Sequence, residues 1–154
     1  MLFSLVSRPG WYLLSGALLA GLSACESGGD ASPVLPNVPV NVLLDLRDQQ
    51  NQALRFDNGV LTIKPGGVNG GGIKGIYVVR QNASTYFAFE RNCPYRPTDA
   101  CATVTLDRPS RLFFRDSCCT SQFNLQGQVT GGPAGRPLRQ YSTSLSGSLL
   151  SITN

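Results

Sequence analysis

Ile76-Tyr-Val-Val-Arg80 and Tyr86-Phe-Ala-Phe-Glu90 set the class of fold, with the polar run Gln81-Asn-Ala-Ser-Thr85 between them. Both pentapeptides are built from β-branched and aromatic residues, and the segment joining them is turn-forming, so the pair reads as strand, turn, strand. Working outward, Val42–Leu46 and Val60–Lys64 precede the pair as candidate strands. Ala102–Leu106, Leu112–Arg115, Leu138–Thr143 and Leu149–Thr153 follow it. Gly, Pro, Asn or Asp clusters separate most of these runs. No stretch sustains a 3.6-residue period beyond Val42–Gln52, and that one ends too polar to make a helix. Short strands without helical crossovers predict an all-β chain folded as an antiparallel β-sandwich or partly open barrel. Residues 40–154, about 115 of them, can bury roughly 65% of the unfolded chain's surface, enough for one core.

At 154 residues the chain is expected to hold one folded domain. Hydrophobic residues make up 42% and charged ones 14%, the composition of a globular protein. The net charge of +4 comes from 13 basic residues scattered along the chain, with no basic run, so no nucleic-acid partner is expected. There is no histidine. A Ser-His-Asp triad, a Cys-His dyad and a His-ligated metal are therefore all excluded. No enzymatic constellation emerges. Asp45, Asp57, Asp99, Asp107 and Asp116 show no spacing that suggests an acid–base pair, and read as turn residues in water.

Residues 1–24 form a targeting segment. Arg8 supplies the positive charge, and Trp11–Leu22 make an apolar stretch shorter than the ~20 residues a bilayer core requires. Leu22-Ser23-Ala24-Cys25 then resembles the lipobox of bacterial lipoproteins. That resemblance implies cleavage before Cys25, acylation of its sulfur and new amine, and anchoring of the chain in a membrane of the bacterial cell envelope, on the periplasmic side or the cell surface. Several acyl chains, at about 0.8 kcal/mol per buried CH₂, make such an anchor stable. Residues 25–39 are rich in Gly, Ser and Pro and are expected to be a flexible tether.

Gly70, Gly72 and Gly75 spell G-x-G-x-x-G, a pattern that can cradle a phosphate. A strand follows it where a nucleotide site needs a helix N-terminus, so it reads as a glycine-rich loop feeding a strand.

Cys93, Cys101, Cys118 and Cys119 remain after Cys25. In an exported chain disulfides are the default. A bridge between the adjacent Cys118 and Cys119 is strained, so each reaches back to Cys93 or Cys101, and the spacing leaves both such pairings open.

Asn92-Cys93-Pro94-Tyr95 resembles box one of the Rieske iron–sulfur fold, Cys-x-His. Asp116-Ser-Cys-Cys-Thr-Ser-Gln-Phe123 resembles box two, Cys-Pro-Cys-His-Gly-Ser-x-Phe. Gly132-Pro-Ala-Gly-Arg-Pro-Leu138 is similar to the Gly-Pro-Ala and Pro-Leu loop that closes the cluster site. The likeness covers residues 40–154 and implies a Rieske-like domain with a loop subdomain stapled by disulfides. By position, Cys93 matches the first Cys ligand, Tyr95 the first His, Asp116 the second Cys and Cys119 the second His. A Rieske centre needs two Cys and two His, so the usual centre is not expected and no cofactor is. In respiratory members an extra Cys after box one bridges the middle Cys of box two. The resemblance thus implies Cys101–Cys118 and, with it, Cys93–Cys119; Cys93–Cys118 with Cys101–Cys119 is the other pairing.

The function this implies is that of a lipid-anchored envelope protein. Its Rieske-like domain has lost the cluster and serves as a binding or structural module, with an envelope protein as possible partner. The alternatives are electron transfer through an atypical [2Fe-2S] cluster held by some set of Cys93, Tyr95, Asp116, Cys119, Cys118 and Cys101, or a thiol–disulfide role for Cys93 and Cys119. Arg91, Arg96, Arg111, Arg115, Arg136 and Arg139 are expected around the loops, as surface solubility rather than an anion-binding rim.

Overall fold

The computed structural model describes residues 35–66 and 70–154. The leader, the lipobox with Cys25 and most of the expected tether lie outside the described residues. Ten strands run β1 (Asn41–Asp45), β2 (Val60–Ile63), β3 (Ile76–Arg80), β4 (Tyr86–Glu90), β5 (Val104–Leu106), β6 (Phe113–Asp116), β7 (Gln122–Asn124), β8 (Val129–Gly131), β9 (Gln140–Ser146) and β10 (Leu149–Thr153). They form two antiparallel sheets. One has six strands in the order β1-β10-β9-β4-β3-β2, and the other has four, β5-β6-β7-β8. One 3-10 segment, Gln49–Arg55, joins β1 to β2.

The hairpin β3–β4 is central because it is apolar on both faces. Ile76 and Val78 point to one side with Tyr86 and Ala88, where they pack with Val42, Leu54, Leu150 and Ile152. Tyr77 and Val79 point to the other with Phe89, where they meet Val104, Phe114 and Phe123 of the four-stranded sheet. A strand with period-two alternation can serve two cores only if both sets of its side chains are apolar, and Ile76-Tyr-Val-Val meets that condition. The Tyr77 ring stacks on Phe114, 4.6 Å between centroids, and its hydroxyl accepts from the Leu106 amide at 3.0 Å. These contacts seat the four-stranded sheet on the six-stranded one.

Residues before Val40 also belong to the folded contacts. Arg139 donates to the Pro36 carbonyl and the Asn37 side chain, both at 2.8 Å. Asn154 donates to Asn37 and to the Val38 carbonyl, both at 2.9 Å, and accepts from the Val40 amide. Residues 36–39, placed in the tether by composition, are thus held at the end of the sheet where β9 begins and β10 finishes. The Pro36 and Val38 carbonyls and the Asn37 side-chain oxygen find side-chain donors, which composition cannot reveal.

The glycine-rich loop cradles an anion, and that anion is the protein's own. The Ile73 and Lys74 amides donate to the two oxygens of Glu90, at 2.7 and 2.9 Å. Gly72 has φ +75°, and a Cβ there would collide with Glu90 Oε2. Only glycine allows so close an approach in that conformation. The Asn92 amide and the Tyr141 hydroxyl complete the cage, at 3.1 and 2.7 Å.

Candidate metal and thiol site

Three loops converge at the far end of the four-stranded sheet. The first leaves β4 at Glu90 and carries Asn92–Cys101 back to β5. Cys93 N donates to the Ala102 carbonyl at 3.1 Å, and Val104 N to Arg91 at 2.8 Å, which closes the base of this loop. Lys74 Nζ donates to the carbonyls of Asp99 (2.6 Å), Ala100 (3.2 Å) and Ala102 (3.0 Å). One ammonium thus satisfies three carbonyls that a loop would otherwise turn to water.

The second loop is the short turn between β6 and β7. Asp116 N donates to Ser121 O at 2.9 Å, and Thr120 N to Asp116 O at 3.0 Å. The Asp116 side chain, fully buried, accepts on one oxygen from the amides of Cys118 (2.6 Å) and Cys119 (3.1 Å). An aspartate that binds the amides two and three residues on is a turn-forming element. It also fixes which way Cys119 projects. The third loop, Gly132–Pro137, lies over the second. Its Ala134 amide donates to Ser121 Oγ at 3.1 Å, and Gly132, at φ +84°, rests so close on the Ser121 backbone that a Cβ would collide with it.

A disulfide joins Cys101 of the first loop to Cys118 of the second, with Cα atoms 5.6 Å apart. The staple implied by the box likeness is therefore present. The second expected bridge is not. Cys93 and Cys119 are free thiols whose sulfurs stand 3.6 Å apart, against about 2.05 Å for a bond. Asp116 holds the Cys119 amide, and the Cys119 thiol donates to Ser121 Oγ at 3.0 Å, so the side chain is oriented by its own turn and meets Cys93 without closing on it.

Cys93, Asp116 and Cys119 place one ligand-type atom each within 4.8 Å of the others. The second Asp116 oxygen, Oδ2, is buried and has no hydrogen-bond partner. Burial pushes the Cys93 thiol well above its ordinary range; the Tyr95 amide opposes this, while Asp116 and Cys119 add to it. Cys93 is thus a protonated thiol at neutral pH unless something replaces the proton. A cleft of about 260 Å³ opens beside the three residues, lined by Tyr95, Arg96, Asp99, Pro133 and the Cys118–Cys119 turn. Tyr95 belongs to the cleft wall, with the Arg96 guanidinium 5.4 Å from its ring centre, and is not one of the three converging donors.

The donors present do not fit a two-iron cluster. On the box likeness Cys93 and Cys119 would flank opposite irons, and the whole core would have to fit between their sulfurs. Two sulfurs bound at about 2.3 Å to one tetrahedral ion lie only about 3.8 Å apart. The observed 3.6 Å leaves room for one ion, not two.

Of the arginines expected around the loops, Arg96 alone lines this cleft. Arg91 lies over the Tyr77 ring at 4.9 Å, and Arg139 holds the N-terminal segment. Of the five aspartates considered for acid–base work, three are engaged elsewhere: Asp45 with Arg47, Asp57 with Arg80, and Asp107 with the Ser110 amide and hydroxyl. Asp99 lines the cleft, and Asp116, expected in water, is instead fully buried among its lining residues, where the Cys118 and Cys119 amides donate to its carboxylate. Ser121, Glu90 and Lys74 were not singled out by sequence reasoning. Two of them left a signal: Glu90, as a carboxylate ending the apolar run Tyr-Phe-Ala-Phe, and Ser121, as the serine matched in the box-two likeness. Among the described residues no helix is long and apolar enough to cross a membrane.

No protein-family profile and no curated protein matches the chain. Among solved structures it is similar to the cyanobacterial plasma membrane Rieske protein PetC3 from Synechocystis PCC 6803, with 23% identity and a TM-score of 0.49, over 77% of this chain and 100% of that one. The chemistry of the site follows from its own donor atoms.

Proposed function

We propose that this chain is a lipid-anchored protein of the bacterial cell envelope whose Rieske-like domain works without a [2Fe-2S] cluster, as a binding or structural module. The observation that carries the reading is the donor set. The four positions that box one and box two assign to the cluster hold Cys93, Tyr95, Asp116 and Cys119, without an imidazole, and the two sulfurs are too close to flank two irons. The loops do not depend on a cluster for their closure: Cys101–Cys118, Lys74 and the Ser121 hydroxyl already hold them. Anchoring rests on the Leu22–Cys25 lipobox and places the domain at a membrane surface.

Iron and acid-labile sulfide measured on the purified full chain, with its visible spectrum, test this reading. Neither sulfide nor a broad visible absorbance is expected; two irons and two sulfides per chain overturn it. A catalytic thiol–disulfide role has less support, because burial makes the Cys93 thiol hold its proton.

A further inference from the structure

We infer that Cys93, Asp116 and Cys119 form a mononuclear site for a tetrahedral, zinc-type divalent cation, with its fourth position open to the cleft. The inference rests on the absence of a two-iron cluster argued above and says what the site holds in its place.

The geometry suits one ion. Sulfur–sulfur spacing in a tetrahedral site is about 3.8 Å, and the two thiols stand at 3.6 Å. A carboxylate oxygen of Asp116 lies within 4.8 Å of both sulfurs, and a tetrahedral ion holds sulfur and oxygen about 3.5 Å apart, so a side-chain movement of about 1 Å brings all three onto one centre. The carboxylate is the independent sign. It is fully buried, its Oδ1 is saturated by two amides, and its Oδ2 has no partner, while the carboxylate as a whole stands beside the two thiols. A buried carboxylate oxygen left unpaired costs several kcal/mol in an effectively low-dielectric site, about the same order as losing a buried ion-pair partner. A cation between it and the sulfurs removes that cost.

The outer contacts are also those of a ligand site. The Cys118 and Cys119 amides orient the carboxylate. Ser121 Oγ, already accepting from Ala134, can rotate its proton onto a Cys119 thiolate. Two thiolates and one carboxylate carry three negative charges, which a divalent ion reduces to one, and the exposed Arg96 stands across the cleft. Mixed sulfur and oxygen donors at tetrahedral spacing favour zinc over the all-sulfur preference of monovalent copper. Binding exchanges two thiol protons for the metal; no electron moves.

The full chain, isolated anaerobically in detergent without added reductant, is assayed for zinc, iron, acid-labile sulfide and free thiols, and its metal is then exchanged for Co²⁺. One zinc per chain, no sulfide and two thiols that alkylate only after unfolding are expected. The cobalt form should show an intense near-ultraviolet thiolate-to-metal band. Asp116→Asn should weaken zinc binding at least about tenfold, and Cys119→Ser should abolish it, with Cys101–Cys118 intact in both. A metal-free protein carrying a Cys93–Cys119 cystine, a cobalt spectrum without the thiolate band, or zinc held undiminished in both variants overturns the site. If Cys119→Ser does not fold, the cobalt spectrum of the parent chain decides. Iron with acid-labile sulfide defeats this site and the cluster-free reading together; a metal-free chain without sulfide defeats the site alone.

Discussion

Glu90 and Asp116 are both fully buried carboxylates at the end of a strand, and they are treated in opposite ways. Glu90 sits where the glycine-rich loop crosses the six-stranded sheet, and four donors fill its two oxygens. Asp116 ends β6 in the four-stranded sheet beside two thiols; two amides fill one oxygen, and the other is unpaired. Buried polar groups in stable proteins are satisfied, so the saturated carboxylate marks architecture and the half-satisfied one marks a site. The same contrast divides the cysteines. The bonded pair, Cys101 and Cys118, staples two loops at the surface, while the unbonded pair stands beside the Asp116 carboxylate.

The sharpest way to break this comparison is to empty the cage around Glu90. Glu90→Ala orphans three amides and the Tyr141 hydroxyl in the interior and should cost about 3–5 kcal/mol in urea unfolding, the scale of a buried charge losing its partners. A loss below about 1 kcal/mol would mean that Glu90 is no more structural than Asp116. Opening the staple comes next. The Cys101→Ser and Cys118→Ser double variant frees a loop closed over 17 residues, for which about 3 kcal/mol is expected. Its melting temperature should fall by more than that of any single substitution at Cys93 or Cys119; an equal fall would place the two pairs in one class.

Lys74 links the two regions, since it follows the Glu90 cage in sequence and its ammonium caps the box-one loop. Lys74→Met should cost about 1–2 kcal/mol, near the value of one or two charge-assisted hydrogen bonds. Amide exchange should quicken at residues 99–102 rather than in β3. Uniform quickening would show that the loop needs no ammonium.

A pH titration sharpens the contrast from the alkaline side. Burial, reinforced by Glu90, raises the Tyr141 phenol above its ordinary 10.0. The folded state holds that proton more tightly than the unfolded chain does, so the contribution is complete below pH 10 and is lost as pH climbs through the folded value. Stability should bend downward above pH 10, and Tyr141→Phe should remove its share of the bend; an unchanged bend assigns it elsewhere. The smallest effect on stability belongs to the metal-free Asp116→Asn variant. Its amide oxygen still accepts from Cys118 and Cys119 while the uncompensated charge disappears, so unfolding free energy should stay within about 1 kcal/mol of the parent. A loss like that of Glu90→Ala would make Asp116 architectural.

Most of the fold was legible. Ile76–Arg80, Tyr86–Glu90 and Leu149–Thr153 are strands over the residues expected, and the other candidates shift by one to three residues at their ends. β7 and β8 were not visible, because three-residue strands such as Gln122–Asn124 are too short to show alternation. Val42–Gln52, too polar at its end for a helix, holds the expected strand as Asn41–Asp45 and then the start of a 3-10 segment that the sequence did not signal. At the site, the box likeness predicted which loops meet and that Cys101 bonds Cys118, but also a Cys93–Cys119 bridge that is not formed. It did not reveal the partners of Ser121 or Lys74, which lie in other loops, nor that Cys93 and Cys119 touch without bonding.

By itself the sequence determined the all-β class, through β-branched and aromatic pentapeptides with turns between them. Its lack of histidine ruled out the usual iron ligands whatever the fold. Both are properties of residue type and local spacing. Only the tertiary structure decided that one buried carboxylate is caged and the other left open, and that two sulfurs 26 residues apart stand at one-ion distance. Satisfaction of a buried oxygen and convergence of donors depend on segments far apart in the chain arriving together, and no local pattern records that.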